Sequence, residues 1–144
     1  MSTAIISLKD VEKNFGLKKV LRGLSFDVAP GELIALLGCN GAGKTTTINM
    51  LLGLEQADAG EISIFGSKPG SMQVRSLLGV TPQGTDFPEG LKVKEVLELV
   101  AAHYPNAIAL DEAVTKFSLT DIADQVTAGL SYGQKRRVAV ALAF

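Results

Sequence analysis

Cysteine occurs once in the 144 residues, at Cys39, so no internal disulfide can staple the fold and the composition suits a reducing compartment. Histidine also occurs once. His103 has no nucleophile or acidic cluster beside it, so its expected role is a polar residue at a helix end, not a catalytic one. A surplus of charge is missing too. Fourteen basic residues face fifteen acidic ones, which excludes bulk attraction to nucleic acid or anionic lipid and leaves any partner to be recognised at a defined site. No apolar run approaches the ~18 residues that a membrane span requires. The opening Met1-Ser2-Thr3-Ala4 lacks the basic flank and apolar stretch of a signal peptide, so the expected location is the cytoplasm. Internal repeats and low-complexity segments are likewise absent. With 47% hydrophobic residues, the chain has material for one ordinary domain core, or one and a small appendage.

What is present is organised around Gly38-Cys39-Asn40-Gly41-Ala42-Gly43-Lys44-Thr45, which fits the phosphate-cradling pattern G-x-x-x-x-G-K-[ST]. Its flanks matter as much as the string. Residues 32–37 form a short apolar run of strand length, and residues 46–52 read as a helix, giving the order strand, loop, helix. In such a loop the backbone N–H groups point at the phosphates, and the helix start adds about half a positive charge there. Gly41 and Gly43 let the backbone close on an anion. Lys44 is expected to meet the outer phosphates and the Thr45 hydroxyl to ligate Mg²⁺.

Along the rest of the chain, residues 5–11 alternate and read as an edge strand, and residues 20–28 as a second strand. Between them lies Phe15, followed by Gly16, an aromatic that by itself is as well explained as a loop anchor. Pro30-Gly31 is a turn leading into 32–37. Further short strands are expected at 61–65 and 79–81, with a short helix at 74–78 between them. Turn formers from Thr85 to Gly90 mark a boundary, giving expected domains of 1–84 and 85–144. Beyond it Val93, Val96, Leu97, Val100 and Ala101 place one apolar stripe on a helix that Pro105 stops, and residues 111–117 make another helix.

Leu130-Ser131-Tyr132-Gly133-Gln134 precedes a last helical run over 135–144. Ser131 and Gln134 have the spacing of a capping box. A serine hydroxyl and a glycine at a helix start also suit a terminal phosphate, and both readings stay open here.

In order and spacing, the 38–46 loop, Pro82-Gln83 and Leu130 to Gln134 resemble the P-loop, Q-loop and signature motif of the ATP-binding cassette (ABC) ATPases. The resemblance spans essentially the whole chain and implies an α/β, P-loop NTPase-like ABC ATPase fold: an antiparallel β subdomain plus an α/β core, followed by a helical subdomain. It implies ATP and Mg²⁺ as ligands. Phe15 would stack on adenine. Gly38, Cys39, Asn40, Gly41, Ala42, Gly43, Lys44, Thr45 and Thr46 would hold the phosphates, and Thr45 and Gln83 the Mg²⁺. Ser131, Gly133 and Gln134 would face ATP held by a second ABC subunit in a head-to-tail dimer. A membrane-spanning permease would be the other partner, with the protein peripheral at the cytoplasmic face of a membrane.

Tyr132 stands where a second glycine is usual, as in drug- and lipid-exporter cassettes, which leans the reading toward export. Lys92 stands where similar sequences carry a helix-capping Thr, at a cost of ~1 kcal/mol. The Walker B Asp, catalytic Glu, D-loop and switch His of the family would all follow Phe144. From the residues at hand the expectation is therefore ATP binding without hydrolysis by this stretch alone, with Lys44 and Gln83 contributory, and self-association through exposed apolar surface. Two other classes compete. A soluble cassette acting on ribosomes or DNA would use Lys135-Arg136-Arg137, which reads more simply as a solvated face, so no nucleic-acid partner is expected. A P-loop kinase would need a phosphoryl acceptor and give Ser131 no role. Alkylation of Cys39, inside the loop, is expected to block nucleotide, and ATP to protect the thiol.

Overall fold

The computed structural model describes residues 4–84, 86–104 and 106–144. The expected boundary start at Thr85 and helix stop at Pro105 lie outside the described residues. The chain divides into two compact units, Met1–Leu77 and Leu78–Phe144.

The first unit is built on an antiparallel sheet of β1 (Ile6–Phe15), β2 (Lys18–Val28) and β3 (Ala59–Ile64), in the order β2-β1-β3. β1 is therefore the central strand and not an edge. The apolar alternation that suggested a strand ending near Val11 is interrupted by a bulge, after which the strand continues to Phe15. Asp10 takes φ 48°, and both ladders slip there, between Leu8 and Val11 toward β2 and between Lys9 and Glu12 toward β3. Ser25 holds the bulge. Its Oγ accepts from the Asp10 N–H at 2.8 Å and donates to the Asp10 carboxylate at 3.2 Å. Leu8, Val11 and Leu21 from the sheet pack with Met50 from helix α1 (Lys44–Leu51) in one buried cluster. This burial fixes the helix against the sheet and so sets where the preceding loop stands. Helix α2 (Met72–Arg75) is a single turn capped by Ser71, whose Oγ accepts from the Val74 N–H.

Residues 32–37 do not form a strand. They pair with no strand among the described residues, and Leu33 and Leu37 are 99% and 89% exposed. An apolar run of this kind suits a parallel strand covered on both faces, and here it joins neither edge, β2 or β3, of the antiparallel sheet. The expected strand at 79–81 is also absent. Gly79 instead lies so close to the Ala143 carbonyl that a Cβ there would overlap it.

The second unit is helical: α3 (Val93–Ala101), α4 (Leu110–Lys116), a 3-10 turn (Thr127–Gly129) and α5 (Tyr132–Ala141). The predicted stripe on α3 is its buried side. Val93 and Leu97 join Leu119, Ile122, Leu130, Val138 and Ala141 in one core. Lys92 is the N-cap of α3 and its ammonium has no lone pair to cap with. Glu95 takes over half of that task, its Oε2 accepting from the Lys92 N–H at 2.7 Å, while the Lys92 side chain pairs with Asp124. His103 ends the helix as expected, its Nδ1–H donating to the Leu99 carbonyl at 2.8 Å. Among the described residues no helix is long and apolar enough to cross a membrane.

Candidate functional site

The glycine-rich loop of the first unit turns through Gly38 (φ 154°), Gly41 (φ 84°) and Gly43 (φ 89°), backbone conformations that a Cβ would strain. Gly43 is needed twice over. It is also the N-cap of α1, and a Cβ there would come within 2.6 Å of Leu21 Cδ2 and 3.3 Å of the Val20 carbonyl oxygen, so β2 would have to give way to admit one. Helix α1 begins with no side-chain cap and no acidic residue in its first turn. Its first amides and the positive end of its dipole are thus left to an incoming anion.

Lys44 folds back over the loop, its Nζ donating to the carbonyls of Gly38 and Cys39, both at 2.8 Å. An ammonium has three protons, so one remains for a phosphate oxygen while the other two hold the loop closed. The three threonines that follow are sorted by their surroundings. Thr47 is buried and its hydroxyl donates to the Gly43 carbonyl at 2.9 Å, a structural bond, whereas Thr45 is exposed. Among the described residues no group of three or more His, Cys, Asp or Glu is placed to hold a metal. The donor set fits a Mg²⁺ that arrives with phosphate oxygens and takes one hydroxyl from the protein.

The tip of the β1–β2 hairpin stands beside this loop. Phe15 pairs in register with Lys18, whose Nζ is 3.9 Å from the point a Cβ on Gly41 would occupy. Phe15 is 49% exposed. Lys18 adds a second cation at the glycine-rich loop, and sequence reading missed it because a lone lysine in a turn carries no local signal; its partner is 23 positions away.

In the second unit, Ser131 is the N-cap of α5. Its Oγ accepts from the Gln134 N–H at 3.3 Å, and Gln134 Oε1 accepts from the Ser131 N–H at 2.8 Å. The capping box is therefore present. It does not exclude the phosphate role, because the Ser131 hydroxyl accepts in this bond and keeps its own proton to donate. Gly133 is exposed with nothing within 4 Å of its Cβ position, and Tyr132 is 73% exposed. The basic stretch that follows is not merely solvated. Arg136 Nη1 donates to the Pro82 carbonyl at 2.7 Å, and Arg137 donates to the Ser118 carbonyl and pairs with Asp121 at 3.4 Å. Helix α5 thus holds the residue next to Gln83, which is itself exposed. Phe15 and the P-loop residues are brought together in the first unit, and Gln83, Ser131, Gly133 and Gln134 lie in the second.

A family model described as ABC transporter matches residues 21–144, a span that takes in the P-loop, Gln83 and the signature helix. The chain belongs to the ABC transporter family. Its curated relatives include "Nod factor export ATP-binding protein I" of Burkholderia orbicola (strain AU 1054), 42% identical over 99% of this chain and 49% of the relative. The protein of the same name from Ralstonia nicotianae is 37% identical over 97% of this chain and 46% of its own length. Among solved structures, one described as the ATP binding subunit of an ABC transporter superposes with a TM-score of 0.82 at 30% identity, covering 96% of this chain and 60% of that one. A second, cbiO1 from Clostridium perfringens, part of the ABC transporter complex cbiONQ, gives 0.81 at 25% identity, covering 97% of this chain and 61% of its own. The chain thus has the ABC ATPase fold and spans about half the length of the curated relatives it matches.

Within this ABC chain Cys39 is exposed, and its carbonyl is one of the two that Lys44 grips. Alkylation of its thiol by N-ethylmaleimide is expected to slow severalfold when Mg-ATP is present. Equal rates with and without nucleotide, read by mass spectrometry, would place the ligand elsewhere.

Proposed function

We propose that this chain is part of the nucleotide-binding subunit of an ABC transporter, which couples ATP binding and hydrolysis to export across a membrane. The observation that carries the reading is the start of α1: an uncapped, acid-free helix N-terminus behind three glycines at positive φ, with Lys44 holding the loop shut and one of its protons free. Gly38 to Thr46 cradle the triphosphate, the Thr45 hydroxyl meets the Mg²⁺, and Phe15 supplies a platform for adenine. The metal would neutralise charge on the outer phosphates; the residues of this chain orient them. Ser131, Gly133 and Gln134 serve nucleotide on a second copy in a head-to-tail dimer, the arrangement to which the free hydroxyl proton of Ser131 is suited. Residues 1–84 are the nucleotide-binding part and residues 85–144 the helical part.

Export is supported by the exposed Tyr132 in the signature and by the printed name of the Burkholderia relative. A membrane permease partner and a place at the cytoplasmic face are supported by cbiO1 being part of a transporter complex. Leu33 and Leu37 offer an apolar surface through which copies of this stretch would associate. The role on ribosomes or DNA loses its one argument, since Arg136 and Arg137 are engaged by backbone carbonyls. The test is what accompanies the protein out of its own cells. Tagged and extracted in mild detergent, it should copurify with an integral membrane protein; recovery with ribosomes and no membrane protein would overturn the transporter reading.

A further inference from the structure

Lys13 is a charged residue that the fold buries. It sits on β1 two places before Phe15 and is only 7% exposed. Its ammonium meets three oxygens: the Gln56 carbonyl at 2.6 Å, Glu55 Oε1 at 2.7 Å and Asp58 Oδ1 at 3.4 Å. The bond to Glu55 outweighs burial and, helped by Asp58, raises the pKa of Lys13 above the usual lysine value, so the cation persists. Asn14 is held by the same carboxylate. Asp58 Oδ2 accepts from its backbone N–H at 2.7 Å and from its side-chain amide at 3.1 Å.

The gripping residues 55–58 belong to the segment that leaves the far end of α1, where the Leu54 and Glu55 N–H groups both donate to the Asn49 carbonyl. Two consecutive residues of β1 are therefore tied to the back of the helix whose front carries the phosphate loop. The next residue is Phe15. The Lys13 ammonium also lies over the Phe15 ring, 5.3 Å from its centroid, while the ring remains half-exposed. A cation over an aromatic ring withdraws electron density from its π-system, which reduces the repulsion felt by another electron-rich ring stacked on it. A buried lysine is a costly way to fill space, and a methionine would fill the same volume. The charge is explained if it has a task at Phe15.

We propose that Lys13 is a positioning residue of the nucleotide site: with Asn14, Glu55 and Asp58 it locks Phe15 to the P-loop helix and tunes the ring for a stacked purine base. This rests on the reading of the P-loop and Phe15 as the nucleotide site, and it predicts a loss that depends on the base and not on the phosphates. Mg-ATP and inorganic triphosphate with Mg²⁺ are titrated calorimetrically into the unaltered chain, Lys13→Met, Phe15→Ala and the double variant. Lys13→Met should weaken ATP by about three- to tenfold and leave triphosphate unchanged. The double variant should bind ATP no more weakly than Phe15→Ala alone, and Lys13→Arg should restore affinity to within about twofold.

If Lys13→Met does not fold, as judged by circular dichroism, Asp58→Asn takes its place, since it keeps the lysine but loosens Asn14 and should give the same ATP-selective loss. Equal losses for ATP and triphosphate, or losses that add in the double variant, would overturn the proposal and reduce Lys13 to a structural ion pair. An unaltered chain that binds triphosphate but shows no effect of Phe15→Ala on ATP would overturn it through Phe15. An unaltered chain that binds neither ligand would instead remove the nucleotide reading itself.

Discussion

Gly60→Ala is expected to lower the stability of the first unit by about 3 kcal/mol, among the larger losses a single methyl can cause. Gly60 lies in β3 opposite the bulge of β1. Lys9 pairs with Glu61 and Glu12 with Ala59, so the two skipped residues of β1 crowd against Gly60. A Cβ there would fall 2.5 Å from the Lys9 carbonyl oxygen and overlap the Asp10 carbonyl, and the residue has φ 84°, where alanine is itself strained. The crowded atoms are backbone and cannot rotate away. Relief would require the β1–β3 ladder to separate, which uncovers Leu8 and Ile64, both about 1% exposed. Urea unfolding should show the midpoint falling with little change in slope. A shift of less than about 0.5 kcal/mol would mean that the bulge relaxes around the new methyl, contrary to the close approach seen here.

How far the sequence could be read depended on whether the cause of a feature is local. The P-loop was legible because all its requirements sit within eight residues: positive-φ glycines, a lysine and the helix that follows. Helix α3 was legible from the period of Val93, Val96 and Leu97, the residues it buries. The capping box of α5 was legible too, and both halves of it form. Residues 32–37 misled because an apolar run states that a segment wants to be covered, and does not state that a neighbouring strand is there to pair with it. The central position of β1 was hidden by Asp10, whose left-handed turn breaks the alternation that a reader follows. Lys13 was overlooked for a related reason. A lysine is placed in solvent by default, and its oxygen partners lie 42 to 45 residues further on, where only the folded chain brings them together. The same default makes Arg136 and Arg137 look like a solvated face, while their carbonyl partners stand 54 and 19 residues back.

Replacing Lys44 by alanine is expected to weaken Mg-ATP binding by at least about tenfold, the equivalent of one charge-assisted hydrogen bond lost to a phosphate. The geometry adds to that minimum. Two of the three Nζ protons hold the carbonyls of Gly38 and Cys39, so the same substitution releases the loop that lines up the amides of α1. The variant loses a contact to the ligand and the closure of its cradle together, while α1 itself, packed through Met50 against β1 and β2, stays in place. The fold is therefore expected to survive, which separates a binding defect from unfolding. The most direct test of the account is a titration of a fluorescent ATP analogue with Mg²⁺ into the unaltered chain and Lys44→Ala side by side, with circular dichroism to confirm that both are folded. The account predicts saturable binding by the first and binding at least about tenfold weaker by the second. Equal affinity of the two folded chains would contradict it.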